Sequence, residues 1–427
     1  MNFEVNYKNK KRYKTTKNPM HQSKFWVWLI TFLSRIMLWG KEYKVEKINC
    51  EDLKPPYMML SNHMHFIDFE LVSQATYPHS VSNVVNIDGY IGKFFLLEWI
   101  GAICTRKFTT DIQLVKSIGK VLKRGDVLAM YPEARYTPAG TLNYMPDSLG
   151  KLVKMNKVPV VAVVHRGNHL YAPFWNFRDK RRVPFHTTFT KILTPEEIKE
   201  MSVEEINKRL REALDYDDYR YQKENGIKIE SATRAEGLHK ILYKCPACKT
   251  EHKMESSGAE LFCTECNKRW LWREDGYLEA VNGETEFDHI PDWFNWERQE
   301  VEAEIERGEY SYSAEVEVYS LPRIYRYIPL GKAKLTHNPD TGFTLLGEHR
   351  GKRYKINRTP IQTNSLHVEY DFGPLDKSDY IDISTENDSF YCRIPDKDMI
   401  TKLGFATEIL YLKESKALTI GAEQKRH

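Results

Sequence analysis

The chain has 427 residues, 41% of them hydrophobic, and a mean hydropathy of −0.57. That length suits several domains, and the composition excludes a polytopic membrane protein, whose helices each need about 20 predominantly apolar residues. The 63 basic and 59 acidic side chains nearly balance at +4, yet Lys8, Lys10, Lys11, Arg12, Lys14, Lys17 and Lys24 face only one nearby acid, Glu4. Seven cysteines, four of them in two Cys-x-x-Cys pairs, indicate metal in a reducing cytoplasm rather than a disulfide framework.

Behind the basic arm, Phe25 to Trp39 is a nearly continuous apolar run. As a helix it rises about 22 Å, short of the roughly 30 Å hydrocarbon core. Arg35 interrupts it and no small-residue cleavage site follows, so neither a spanning helix nor a signal peptide fits. Trp26, Trp28 and Trp39 behind a polybasic arm predict a helix in the interface of an anionic membrane, over residues 1–42. This places the protein in the cytoplasm, peripheral on the inner face of a membrane. A helix packed on the protein's own core is the alternative. The tryptophans form one block and do not interleave with basic residues, which argues against nucleic-acid binding.

From 43 to 215 strand and helix signals alternate, the pattern of an α/β domain. Tyr57 to Leu60 reads as a buried strand that stops at Ser61-Asn62-His63, and Phe69, Leu71, Val72 and Ala75 mark a helix after it. Such a corner presents side chains at the carboxyl edge of a sheet. A carboxylate on one nitrogen of an imidazole fixes its tautomer and leaves the other nitrogen free to take a proton. His63 and Asp68 meet that need if the chain turns between them, and His65 is the nearby competitor. Further along, Asp111 to Lys123 predicts an amphipathic helix stopped by Gly125, Val127 to Tyr131 a strand, and Lys157 to Val164 another. Thr194-Pro195-Glu196-Glu197 and Ser202-Val203-Glu204-Glu205 predict capping boxes.

Four segments, in order, resemble the blocks of the lysophospholipid and glycerol-phosphate acyltransferase family, the family of 1-acylglycerol-3-phosphate O-acyltransferase. They are Asn62-His63-x-x-x-x-Asp68, Gly101-Ala102-Ile103-Cys104-Thr105-Arg106, Tyr131-Pro132-Glu133-Ala134-Arg135 and Val158-Pro159-Val160-Val161-Ala162. The resemblance covers residues 25 to 215 and implies an acyltransferase-type α/β fold. It implies His63 as general base and Asp68 as its orienting partner, with Asn62, Arg106, Glu133 and Arg135 binding the acceptor. The implied reaction moves a fatty acyl group from acyl-CoA or acyl-carrier protein to a lysophospholipid or related acceptor. The chain departs from the pattern Phe-Pro-Glu-Gly-Thr-Arg of the third block: the glycine is missing, and Arg135 either follows a one-residue deletion or stands at the threonine. Ala162 replaces the second proline of the fourth. Since the third block holds the acceptor's phosphate, these changes bear on the acceptor. No nucleotide-binding glycine loop is present, so no nucleotide cofactor is expected.

Residues 216–239 read as a connecting segment. Cys245-Pro246-Ala247-Cys248 and Cys263-Thr264-Glu265-Cys266 then form two knuckles that can bring four thiolates to a tetrahedron, a zinc-ribbon signal over 240–280. Structural zinc is expected, with a rubredoxin-like iron site as competitor, and Trp270 and Trp272 are expected to pack the small module. No His/Asp cluster at ligand spacing appears outside the ribbon, which argues against a metal-dependent hydrolase. Residues 281–312 are an acidic linker or helix, read as a solvated face. From 313 onward Glu315 to Tyr319 alternates, Asn338-Pro339-Asp340-Thr341-Gly342 is a turn, and short runs near 366–370, 380–383 and 390–394 predict strands before a closing helix over 396–411. This β-rich segment resembles a pleckstrin-homology-like domain. The alternative to an enzyme is a non-catalytic membrane adaptor that keeps an acyltransferase-like lipid-binding domain.

Overall fold

The structure is a computed structural model that describes residues 18–109 and 111–424, with backbone alone at 419–424. Lysines 8 to 17 of the basic arm lie outside the described residues.

Three sheets follow one another along the chain. The first contains β1 (Tyr43–Ile48), β2 (Met58–Ser61), β3 (Val81–Asn86), β4 (Ile103–Thr105), β5 (Val127–Met130), β6 (Val160–Arg166) and β7 (Phe185–Leu193), in the order β1-β7-β6-β2-β5-β3-β4. Strands β6, β2, β5, β3 and β4 run parallel, while β7 pairs antiparallel with β6 and parallel with β1. Parallel strands need helices on both faces, so their sequences run as apolar blocks. Accordingly Met58, Leu60, Leu128, Val160 and Ala162 pack on one face, and Tyr57, Met59, Ala129, Val161 and Val163 on the other. The helix Ile112–Lys123 opens on Asp111, whose side chain accepts from the Leu114 amide. Both predicted capping boxes form, at Thr194 and Ser202.

The helix Lys24–Met37 opens on Ser23 and buries Val27, Thr31 and Ser34. Its other side leaves Phe25, Trp28, Phe32, Leu33, Ile36 and, just beyond it, Trp39 exposed. Among the described residues no helix is long and apolar enough to cross a membrane.

The second sheet, β8 (Met254–Ser257), β9 (Glu260–Cys263), β10 (Arg269–Trp272) and β11 (Leu278–Ala280), is antiparallel. Trp270 and Trp272 are fully buried, but they do more than fill this small module. Trp272 meets Trp175 and Tyr219 of the preceding half, and Trp270 meets Trp293 at 4.8 Å between ring centroids. One hydrophobic core therefore runs through all three segments. Residues 216–239 also take part in it: Asp218 is buried and accepts from the amides of Gly167 and His169.

The acidic stretch forms the helix Ile290–Glu306, and the expectation of a solvated face fails there. Glu297 is fully buried and accepts from the Lys244 amide, while Glu300, Glu304 and Glu306 pair with Lys244, Lys402 and Lys413. Its apolar positions pack on the terminal helix Met399–Gln424, Phe294 against Phe405.

The third sheet contains β12 (Tyr312–Ser320), β13 (Ile328–Asn338), β14 (Gly342–His349), β15 (Lys352–Arg358), β16 (His367–Glu369), β17 (Tyr380–Ser384) and β18 (Ser389–Arg393), in the order β15-β14-β13-β12-β18-β17-β16. The predicted turn joins β13 to β14: Asn338 Oδ1 accepts from the amides of Asp340 and Thr341, and Gly342 has φ +62° where a Cβ would lie 2.2 Å from the Arg358 carbonyl oxygen. This sheet and the terminal helix lie against the carboxyl ends of the first sheet's parallel strands, as the next contacts establish.

Candidate active site

Strand β2 ends at Ser61, and the chain turns through Asn62 to His65 before the helix Ile67–Thr76. The turn is built around Asp68. Its carboxylate is fully buried and accepts from the Met64 amide at 2.8 Å, the His65 amide at 3.2 Å and the Asn168 side-chain amide at 2.6 Å. The same carboxylate lies 3.1 Å from His63 Nδ1. Burial alone would raise the Asp68 carboxyl, but the imidazoles of His165 and His63 and the Met64 amide outweigh it and hold it at about 2. Asp68 is thus a fixed anion that places the proton of His63 on Nδ1 and leaves Nε2 as the basic nitrogen. Burial lowers the pKa of His63 despite the Asp68 hydrogen bond, and the Lys107 charge lowers it further, which favours the neutral ring. About 22% of the His63 side chain stays accessible. His65 pairs differently: its Nδ1 accepts from the Ile67 amide, so geometry selects His63 as the partner of Asp68.

The segment after β5 closes over this corner. Glu133 is buried and accepts from the His63 amide at 3.2 Å and from the backbone and side-chain amides of Asn143 at 2.9 and 2.7 Å. Burial pushes its carboxyl up to about 7 against these donors. Glu133 therefore positions the His63 backbone. Ala134 has φ +54°, the left-handed conformation that favours glycine. A left-handed residue at this point suits either reading of the third block. Tyr136 packs on the His63 ring at 4.2 Å between centroids, and Tyr131 stacks on it at 3.9 Å. The His63 ring is thus flanked by two aromatic rings. Neither tyrosine was singled out from the sequence as a site residue; the fold brings both to His63.

Three residues expected to bind an acceptor are engaged otherwise. Asn62 is fully buried, its amide group donating to the His165 carbonyl and accepting from the His165 amide, so it ties β2 to β6. Arg106, buried at the end of β4, donates to the carbonyls of Leu321, Pro322 and Asn387. Arg135 pairs with Glu408 of the terminal helix at 2.7 Å and donates to the Leu366 carbonyl. Both guanidiniums are turned toward the C-terminal half, which pairs their terminal nitrogens, while Arg135 Nε is buried without a partner. Desolvating an arginine costs free energy unless its donors are paired, and here the pairing comes from residues 215 to 281 positions later, such as Leu321 and Glu408.

The four cysteines converge. Cys245 Sγ lies 3.7 Å from Cys266 Sγ, and Cys248 Sγ 3.8 Å from Cys263 Sγ. A tetrahedral metal with sulfur at about 2.3 Å sets sulfurs about 3.8 Å apart. The two knuckles match: the Lys249 amide donates to the Cys245 carbonyl and the Asn267 amide to the Cys263 carbonyl, with φ +63° at Lys249 and +60° at Asn267. The donor set fits a metal ion with four protein ligands.

A second group corrects the expectation that no mixed ligand cluster exists outside the ribbon. Asp88, His367 and Glu369 offer ligand atoms all within 4.8 Å of one another. Asp88 lies far from His367 and Glu369 in the chain, so spacing in the sequence carries no sign of the three together.

No protein-family model matches the chain, and no curated protein matches it. Among solved structures the chain is similar to the 1-acyl-sn-glycerophosphate (LPA) acyltransferase PlsC from Thermotoga maritima. Identity is 15%, the TM-score is 0.37, and the match covers 44% of this chain and 76% of that one.

Proposed function

We propose that the protein is an acyltransferase that moves a fatty acyl group from a thioester donor, acyl-CoA or acyl-carrier protein, to the hydroxyl of a lipid acceptor. The observation that carries this reading is the His63–Asp68 pair: a neutral imidazole whose Nδ1 faces a buried anion held by two backbone amides and Asn168. In this reading His63 Nε2 takes the proton from the acceptor hydroxyl as its oxygen attacks the thioester carbonyl. The imidazolium so formed is stabilised by Asp68 and returns the proton to the departing thiolate. A thioester is already activated, so base and positioning supply most of what the reaction requires.

The acceptor of this proposal is not anchored by Arg135, which faces Glu408. A lysophospholipid or glycerol-phosphate acceptor would draw on other cations, and an acceptor with a neutral headgroup fits the aromatic surroundings of His63 better. The exposed face of the helix Lys24–Met37 supports docking to an anionic membrane surface, with the lipid acceptor taken from it. Zinc is the metal proposed for the four cysteines, in a structural role, since four thiolates leave no open position.

A specific observation favours a second reading, the non-catalytic adaptor: Arg106 and Arg135 are both occupied by the C-terminal half. One experiment separates the two. Purified protein is offered acyl-CoA and acyl-carrier protein against lysophospholipids, glycerol 3-phosphate and neutral lipid alcohols, with products read by mass spectrometry. A product made by wild type and lost in His63→Ala supports the enzyme. No product with any pair, from protein that binds vesicles, supports the adaptor.

A further inference from the structure

We propose that Asp88, His367 and Glu369 form a divalent-cation site that joins the carboxyl edge of the first sheet to the third sheet. Asp88 follows β3, at the edge that also carries His63, while His367 and Glu369 lie on β16. The three donors come from both halves of the molecule, and His367 is almost wholly buried.

The hydrogen-bond pattern points to a cation. The Lys107 ammonium donates to His367 Nε2 at 2.6 Å, so this nitrogen presents a lone pair and the ring proton sits on Nδ1. Glu369 Oε1 lies 3.2 Å from the same Nε2. A lone pair and a carboxylate oxygen at that distance repel unless a positive charge lies close by, and in this structure Lys107 brings one to His367 Nε2. The spacing also suits two adjacent ligands of one ion, which stand about 3 Å apart when each bond is about 2.1 Å. His367 Nδ1 is buried with no hydrogen-bond partner, and the nearest carboxylate oxygen, Asp382 Oδ2, is 3.9 Å away. A ring drawn toward an ion through Nε2 while Nδ1–H turns to a carboxylate is the usual outer arrangement of a ligating histidine. One imidazole and two carboxylates suit Mn²⁺, Fe²⁺ or Zn²⁺. Asp88 already holds the Gly89 amide and the Tyr391 hydroxyl, which orient its carboxylate. The widest pair of donors, within 4.8 Å, needs only a short closure. Lys107 is then a tethered competitor that yields its place when the ion binds.

The test uses the full-length protein, with manganese and zinc measured separately by mass spectrometry so that the four-cysteine cluster is counted apart. Mn²⁺ binding is titrated by electron paramagnetic resonance. Wild type is expected to take one Mn²⁺, Glu369→Gln to lose it, and Asp382→Asn to bind roughly tenfold more weakly. Lys107→Met is expected to bind about tenfold more tightly, because it removes a competing positive charge, and misfolding cannot produce such a gain. Absence of Mn²⁺ from both wild type and Lys107→Met at millimolar metal would overturn the proposal. So would binding that Glu369→Gln leaves unchanged.

Discussion

Glu408 offers a direct test of whether the C-terminal half holds the arginine of the third block. Its carboxylate is buried and accepts from Arg135 at 2.7 Å, Arg298 at 2.6 Å and the Ser365 hydroxyl at 2.7 Å. Glu408→Gln removes the charge and leaves two guanidiniums facing a neutral amide. Breaking a buried pair by neutralising one partner costs about 3–5 kcal/mol. The Arg298 side chain is 29% exposed and recovers part of its loss from water, so the lower end, about 3 kcal/mol, is expected. Burial raises the Glu408 carboxyl, but Arg135 and Arg298 outweigh it and depress its pKa in the folded chain. Its contribution is therefore fully present above the unfolded value of about 4.3 and disappears as pH falls through the folded value. Urea unfolding followed by tryptophan fluorescence reads the difference, since Trp293 and Trp296 share a helix with Arg298. Wild type and variant should differ most at pH 7 and converge in acid. The double variant Glu408→Leu with Arg135→Met should cost at least about 1 kcal/mol less than the sum of its parts. A Glu408→Gln loss below about 1 kcal/mol at pH 7, with additive double-variant effects, would refute the pairing and return Arg135 to the acceptor.

Other consequences follow from the same contacts. Chelation at the four cysteines should strip hydrogen-exchange protection from β9 and β10 and also around Trp175, because Trp272 packs on Trp175; protection at Trp175 unaltered by chelation would show a separately folded module. Ala134→Gly should stabilise by about 1 kcal/mol, since a Cβ at φ +54° carries a cost of that order; a lower melting temperature would contradict it. Replacing Phe32 and Trp39 together by Asp should weaken partitioning to anionic vesicles at least about tenfold, as both rings are exposed, and unchanged partitioning would remove the interfacial role of that helix.

Much of this was legible in the sequence because local signals decide it. The corner at Ser61, the helix ending at Lys123, both capping boxes and the Asn338–Gly342 turn depend on residues within a few positions of one another, and all are present. The cysteine knuckles are local as well, and their convergence follows from β9 lying beside β8 and β10. What stayed hidden is set by long-range packing. Arg106 and Arg135 read as ligand-binding cations because nothing nearby pairs them; their partners Leu321 and Glu408 come from the far half of the chain. Glu297 reads as one more exposed acid of a charged helix, yet the Lys244 amide draws it inside. Strands β13 and β15 do alternate, with Ala333, Leu335, Tyr354 and Ile356 inward between charged outward positions, a signal that went unread beside the turn. The left-handed turn at Ala134 was likewise hidden, since an alanine does not announce it.

The central claim is that His63 acts as a base whose neutral form is favoured by burial. Its most direct test is the pH dependence of kcat/KM for acyl transfer, measured for wild type and for His63→Ala. Because burial lowers the His63 pKa, the wild-type rate should rise along a single limb whose midpoint lies below the ordinary imidazole value of about 6.5 and level off by neutral pH. In His63→Ala that limb should be absent and the residual rate small. A limb that persists in the variant, or a wild-type profile flat from acid to neutral pH, would contradict the account.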